Sequence, residues 1–269
     1  ESRPLAAQDV AGRVWLLSRE STGCRHVQHA LEIASSDEER SHLAMELRGH
    51  VLEAARCPHA NHVLQKCIAT LRPQDLSFII SELEGCSVLQ VTRHKYGCRI
   101  IQRLVENCHA RQLQTLVEDL LFDLPTTCRH PYGNYVVQNL LQYGAPEHRH
   151  AVVSTLGSEV RGLASDSYGC AVLAMALAHA AREDQVALAR ALLREPGLLP
   201  GMACMRHGHA ATRRVLEILE GEEREDARRR LVAEADRLGL SRYGRLIVDG
   251  LEARRLPGSG GGGRHHAPP

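Results

Sequence analysis

The chain has 269 residues, with 33 Lys or Arg against 32 Asp or Glu, so its formal net charge of +1 leaves a nucleic-acid partner to depend on where the charges lie. No apolar run reaches the ~18 residues of a membrane span, and the amino terminus has no signal-peptide pattern. Nine cysteines without a CxxC pair argue against a disulfide framework and predict a reducing, intracellular compartment.

Seven similar segments follow one another along the chain. The best matched are TGCRHVQHAL from Thr22, HANHVLQKCI from His59, YGCRIIQRLV from Tyr96 and YGNYVVQNLL from Tyr132, and weaker copies begin at Tyr168, His207 and Tyr243. We call the third residue of each copy the marker: Cys24, Asn61, Cys98, Asn134, Cys170, His209 and Arg245. Successive markers lie 36 to 39 residues apart, and the long step holds the predicted loop 195–201. This period predicts a repeat architecture.

Each marker segment predicts an amphipathic helix. Apolar residues stand at marker +2, +3, +6 and +7, which is one stripe of a helix; His26 and Glu252, in the end copies, are the exceptions. A second helical pattern lies between markers, as in residues 42–55, 76–89 and 113–124. Helices this short cannot bury their stripes alone, so the sequence predicts an all-α fold, a solenoid of stacked repeats. Residues 257–269 predict a flexible glycine-rich tail.

The residues off the apolar stripe carry the functional prediction. The marker and the residue at +4 lie one turn apart on one helix face; in the first four copies the pairs are Cys24/Gln28, Asn61/Gln65, Cys98/Gln102 and Asn134/Gln138. Gln and Asn offer a donor and an acceptor on one planar group, as a base edge requires. At +1 stand Arg25, His62, Arg99 and Tyr135, whose flat groups can stack on bases. A merely solvated outer face would vary at +4, whereas these four copies do not.

These segments resemble repeats of the Pumilio (PUF) family, most clearly in YGCRIIQRLVE, YGNYVVQNLLQ, TGCRHVQHALE and, at residues 49–55, GHVLEAA. The resemblance implies a crescent-shaped, right-handed α-solenoid of about seven three-helix repeats. It would cover residues 1–256, well matched over about 5–150 and degenerate over about 151–256. It also implies that each repeat reads one base of antiparallel single-stranded RNA through the marker and +4 residues, on the concave face, while the +1 residue stacks between bases.

The resemblance implies a base for each of the first four repeats. Cys with Gln is similar to the family's adenine reader, which assigns adenine to Cys24/Gln28 and Cys98/Gln102. Asn with Gln is similar to its uracil reader, which assigns uracil to Asn61/Gln65 and Asn134/Gln138. With the RNA antiparallel to the protein, the implied core is 5′-UAUA-3′.

The last three copies depart from this pattern. The fifth keeps Cys170 but has Ala171 and Ala174 where a stacking group and Gln are expected. The sixth has His209 and Arg213, and the seventh has Arg245 and Asp249. We expect a specific amino-terminal half; the last three repeats either complete the scaffold or bind weakly, with Cys170, His209, Arg213 and Arg245 as candidate contacts.

The function implied by the resemblance is binding of mRNA 3′ untranslated regions to control translation or decay, by a monomer that recruits protein co-regulators through its convex face. We expect it in the cytoplasm, or else in the nucleus or nucleolus. The alternatives are a nucleolar ribosome-assembly factor with little sequence preference and a protein-binding solenoid of the armadillo or HEAT kind.

Other kinds of site have weaker support. His59 and His62 near Cys57 lack further metal ligands at a fixed spacing, and no catalytic motif is present, so we expect no metal, no cofactor and no enzyme activity. Basic residues cluster on or beside the first four marker helices, which predicts one basic surface. They are Arg25, His26, His29, Lys66, His94, Lys95, Arg99, Arg103, Arg129 and His130.

Overall fold

A computed structural model describes residues 7–85 and 88–253 of the chain. Within these ranges all regular structure is helical, and the helices form seven three-helix repeats. The all-α solenoid expected from the sequence is thereby confirmed. The predicted tail, and the last residues of the predicted domain, lie outside the described residues.

Each repeat has a first, a second and a third helix. In chain order the first four repeats are α1 (Ala7–Val10), α2 (Val14–Ser18), α3 (Gly23–Ile33); α4 (Asp37–Met45), α5 (Val51–Arg56), α6 (Ala60–Thr70); α7 (Ser77–Glu84), α8 (Val88–Thr92), α9 (Gly97–Asn107); and α10 (Gln114–Phe122), α11 (Leu124–Cys128), α12 (Gly133–Tyr143). The last three are α13 (Pro146–Ser158), α14 (Val160–Ala164), α15 (Ser167–His179); α16 (Arg182–Arg194), α17 (Leu198–Ala203), α18 (Gly208–Ile218); and α19 (Gly221–Ala233), α20 (Ala235–Gly239), α21 (Arg242–Ala253). Short 3₁₀ turns, Pro73–Leu76 and Ala110–Leu113, lead into α7 and α10.

Each third helix packs against the third helix of the next repeat, from α3 through to α21. We call this series the third-helix row. The apolar stripe predicted for these helices is buried: Ile100, Ile101 and Leu104 of α9 are inaccessible to solvent, as are Val136 and Val137 of α12. Burial of one such side chain contributes about 1.5–3 kcal/mol, so stacking of the repeats is the main source of stability.

The segments between markers differ in detail from the prediction. The continuous helix expected over 42–55 is two helices, because Gly49 adopts a φ of 83° between α4 and α5. The predicted loop 195–201 is also shorter than expected. Gly197, at φ 73°, begins α17, and Pro200 lies in its first turn, where a missing N–H breaks no helical hydrogen bond.

A carboxylate from each of two first helices caps the second helix of the preceding repeat. Glu46 accepts from the backbone N–H of Gly12 at 2.7 Å through Oε1 and from that of Val14 at 2.9 Å through Oε2. Glu82 repeats this arrangement with Gly49 at 2.7 Å and Val51 at 3.2 Å. The amino-terminal N–H groups of a helix lack intrahelical partners and carry partial positive charge, so a carboxylate satisfies and stabilises them. These contacts join neighbouring repeats with polar geometry as well as apolar packing.

A close backbone approach fixes where each third helix begins. In six repeats a glycine precedes the marker: Gly23, Gly97, Gly133, Gly169, Gly208 and Gly244. A Cβ at any of them would lie 2.2–2.9 Å from the carbonyl oxygen of the residue six positions earlier, in the second helix. In the second repeat Ala60 takes this position. The missing side chain lets the second helix pack directly against the start of the third.

We expect Gly208→Ala to destabilise the protein by about 1–3 kcal/mol, the usual cost of overpacking, because its Cβ would lie 2.2 Å from the Met202 carbonyl oxygen. The matched control is Gly157→Ala in α13, where nothing lies within 4 Å of the added methyl, and which should stabilise by up to about 1 kcal/mol. Denaturant midpoints measure both changes. Equal midpoints for the two variants would show that the close approach is not a constraint.

Candidate nucleic-acid interface

The third-helix row brings the predicted reading positions of the first four repeats onto one side of the solenoid. The marker side chains are more buried than the sequence suggested, with Cys24, Asn61, Cys98 and Asn134 only 1–4% exposed. The partners at +4, Gln28, Gln65, Gln102 and Gln138, are half-buried. The glutamines therefore present more surface to solvent than the markers, and the markers act on them from beneath.

In the two repeats with an Asn marker, the marker holds the glutamine. Asn61 Nδ2 donates to the carbonyl of Cys57 at 2.7 Å, and its Oδ1 accepts from Gln65 Nε2 at 3.0 Å. Asn134 does the same with the carbonyl of His130 at 2.7 Å and Gln138 Nε2 at 2.8 Å. Since the Nε2 atoms are engaged, the amide oxygens of Gln65 and Gln138 are the groups left to accept from a ligand.

In the two repeats with a Cys marker, the side chain of the marker does not hold the glutamine. The thiols of Cys24 and Cys98 contact the carbonyls of Ser21 and Lys95 instead. Gln28 Nε2 donates to the backbone carbonyl of Cys24 at 3.1 Å. Gln102 Nε2 is buried without a hydrogen-bond partner among the described residues, and its Oε1 receives only a long contact of 3.4 Å from Arg99. The Gln102 amide thus keeps both donor and acceptor capacity.

The flat side chains at +1 project into solvent. Arg25, His62, Arg99 and Tyr135 are all exposed. Within residues 7–85 and 88–253, Arg25, His62 and Tyr135 make no side-chain hydrogen bond or ion pair, so their faces are open to a stacking ligand. Each of the four repeats therefore combines one edge-forming pair with one exposed flat group.

The thiols at the markers are poor nucleophiles. Burial raises the pKa of Cys24 and of Cys98, and it raises the pKa of Cys170 to about 12. Because the thiolate is the reactive form, these cysteines stay protonated and unreactive near neutral pH. Their repeated position reflects packing in the third-helix row.

The candidate contacts of the last three repeats are mostly engaged within the protein. Cys170 is fully buried, with its thiol on the carbonyl of Ala164. His209 stacks on Tyr243 of the next repeat with ring centroids 5.1 Å apart, and Arg245 donates to the carbonyl of Gly239 at 3.2 Å. Arg213 alone is exposed without such a contact in the described part of the chain. These contacts are those of a scaffold.

The basic surface expected from the sequence is reduced by ion pairs and by burial. Lys66 pairs with Glu32, and Arg103 pairs with Glu106 on its own helix. His94 and His130 were grouped with the basic residues, but burial lowers the pKa of both, and the guanidiniums of Arg56 and Arg93 respectively lower them further. The positive charge beside the reading positions lies mainly on the arginines at +1.

His94 and His130 have a structural role that the sequence analysis missed. The Nδ1 atom of each accepts from the backbone N–H groups two and three residues later, at 3.2–3.3 Å, just before a third helix. Asp166 occupies the same register in the fifth repeat, and its Oδ1 accepts from Tyr168 and Gly169 at 2.9 and 2.8 Å. An acid four residues before a marker was the signal for a helix cap. The histidines must be neutral to accept these bonds.

Two other kinds of site find no support in the described ranges. None of their helices has the length and apolar character needed to cross a bilayer. No group of three or more His, Cys, Asp or Glu side chains in those ranges is arranged to hold a metal ion.

Fold and surface together define a helical repeat protein with a regular polar row on its third helices. The family model described as the Pumilio-family RNA binding repeat matches residues 13–48, 50–84, 87–121 and 126–156, which is just over half of the chain. The chain belongs to the Pumilio family. The matched segments correspond to the first four repeats and the start of the fifth.

Related proteins from yeasts carry the same domain. A Pumilio domain-containing protein of Schizosaccharomyces pombe is 26% identical over 167 residues, which cover 62% of this chain and 24% of the relative. Pumilio homology domain family member 4 of Saccharomyces cerevisiae is 29% identical over 85 residues, or 32% of this chain and 10% of the relative. The chain thus spans a quarter or less of the length of these relatives.

Solved structures share the fold. PUF-8 in complex with PBE-RNA superposes with a TM-score of 0.82 at 22% identity, covering 92% of this chain and 73% of that one. The Puf3 RNA-binding domain, bound to a Cox17 RNA 3′ UTR recognition sequence, gives a TM-score of 0.78 at 22% identity, covering 91% and 75%. The likeness extends over the degenerate repeats and supports their role in the scaffold.

The histidine caps predict a pH-dependent stability. A folded-state pKa below the ordinary value of 6.5 means that the unfolded chain binds protons first as the pH falls. The contribution of the caps is therefore complete above about pH 6.5 and is lost as the pH falls through the lowered folded-state pKa. The double variant His94→Asp/His130→Asp keeps the caps, as Asp166 does, without titrating there, so its melting temperature should fall less between pH 7.5 and 5.5.

The control for this variant is His42→Asp, an exposed position on α4 that makes the same change of charge without a cap. Its melting temperature should follow the pH dependence of the unaltered chain. A double variant that also follows that dependence would show that the caps do not titrate as the geometry requires.

Proposed function

We propose that this protein binds single-stranded RNA through its first four repeats, one base per repeat, with the preferred core 5′-UAUA-3′. The observation that carries the proposal is the fourfold recurrence, on one row of helices, of a half-buried glutamine over a buried marker beside an exposed flat group. Family membership and the RNA-bound state of the Puf3 and PUF-8 structures support the same partner.

The hydrogen-bond pattern supports the assignment of two base types. Where the marker is Asn, the amide oxygen of Gln65 or Gln138 is left as an acceptor, which suits the N3–H donor of uracil. Where the marker is Cys, the Gln102 amide has both a donor and an acceptor to offer, and the Watson–Crick edge of adenine needs both. Stacking on the +1 side chains adds about 1–3 kcal/mol per base without selecting among bases.

The biological role proposed here is regulation of translation or decay through mRNA 3′ untranslated regions, in the cytoplasm. The Puf3 structure contains a 3′ UTR recognition sequence, which makes this class of target the natural one to test. The protein would act as a monomer that brings co-regulators to the RNA on its outer surface, with no chemistry of its own.

The first test is a binding titration against a short RNA with a UAUA core and a composition-matched scramble, at several salt concentrations. We expect the UAUA core to bind at least tenfold more tightly. Affinity for both RNAs should fall with salt, because phosphate contacts release counterions. Salt dependence without preference would favour the ribosome-assembly alternative, and no binding even at low salt would favour a protein-binding scaffold.

The second test changes one reading position. Gln102→Glu replaces an amide by a carboxylate that can only accept, so guanine, whose Watson–Crick edge supplies donors, should gain over adenine at the third repeat. The loss for adenine should be about 1–3 kcal/mol, the scale of one mismatched base. Binding to RNAs with each base at that position measures the change.

Gln74→Glu is the matched control for this substitution. Gln74 is exposed in the 3₁₀ turn before α7, outside the third-helix row. Its change of charge should weaken all four RNAs slightly and equally. If Gln102→Glu behaves in the same way, Gln102 does not read a base.

A further inference from the structure

The third-helix row contains a cavity where the reading pattern ends. It has a volume of about 460 Å³ and lies across the fourth, fifth and sixth repeats, within the size range of small-ligand sites. One wall is formed by Asn134, Tyr135 and Gln138, which are the reading residues of the fourth repeat. The cavity is therefore continuous with the proposed RNA-binding surface.

The cavity exists because small residues replace the reading groups of the fifth repeat. Ala171 stands at the stacking position and Ala174 at the glutamine position, and both line the cavity together with Met175. Longer side chains at these places, as in the first four repeats, would occupy the space. The result is an apolar floor with no amide above the Cys170 marker.

The rim of the cavity is polar and partly basic. His207 and Arg214 of the sixth repeat line the side opposite Tyr135. Arg214 is exposed, and its pairing with Glu217 at 3.2 Å is a surface contact that water and a phosphate can replace. An aromatic ring on one wall, an apolar floor and a cation at the rim suit a flat base attached to a phosphate chain.

We propose that this cavity binds the nucleobase immediately 5′ of the UAUA core, holding it by stacking and apolar contact without reading its identity. This rests on the proposed function, because the RNA must run past the fourth repeat toward the fifth. Tyr135 provides the stacking face, and Ala171 and Ala174 provide room for a purine or a pyrimidine. The fifth repeat then contributes affinity but no sequence preference.

The experiment uses the full chain and RNAs with the sequence XUAUA in a constant flank, where X is A, C, G, U or an abasic site. The four bases should bind within about threefold of one another. The abasic RNA should bind at least fivefold more weakly, the lower end of the measured range for one stacked base. Equal binding of the abasic RNA would overturn the proposal, as would a preference above tenfold for one base.

Two variants of Ala174 sharpen the test. Ala174→Leu fills the cavity, so the difference between base and abasic RNA should disappear while affinity for the core stays within twofold. Ala174→Gln places an amide beside Cys170, as in the first and third repeats, so adenine should gain about tenfold over other bases at X. Melting temperatures establish that both variants fold. An unchanged profile at X in both would overturn the proposal.

The same measurements separate this proposal from the proposed function. Selectivity for the UAUA core with no effect of the base at X would overturn the cavity alone. Loss of core selectivity, or no binding of any RNA, would overturn both.

Discussion

The structure depends on one packing constraint, which is that no repeat can bury its own apolar stripe. Ile100, Ile101 and Leu104 become inaccessible only because α9 lies between α6 and α12. This forces the third helices into a row and sets the spacing of everything they carry. The regular translation of markers, glutamines and flat groups is a by-product of burial, and a polymer with a regular repeat is the ligand that can use it.

Contacts at the helix termini keep that spacing uniform. A glycine before the marker lets the second helix approach, and a cap from His94, His130 or Asp166 satisfies the N–H groups at the start of three third helices. These requirements concern the backbone and do not depend on what the exposed face binds. That is why the fifth repeat keeps its glycine and its buried Cys170 while alanines replace its reading groups, and why the solenoid continues unbroken past the point where the pattern stops.

Much of the candidate site could be predicted from the sequence, because the marker, +1 and +4 positions are fixed by the geometry of a single helix. The state of those side chains could not be predicted. Asn61 and Cys98 occupy equivalent positions, yet one holds its glutamine by the amide and the other leaves it free. The basic cluster was overestimated for the same reason, since the pairing of Lys66 with Glu32 and the burial of His94 depend on neighbouring repeats.

The sequence by itself determined the repeat period, the helical stripes and the four reading pairs, since each is a pattern within about ten residues that helical geometry turns into a face. Only the tertiary structure decided which markers hold their glutamines, which histidines stay neutral, and where the cavity between Tyr135 and Arg214 opens. Those properties arise between residues that stacking brings together across whole repeats, where burial and charge depend on the neighbour as much as on the residue itself.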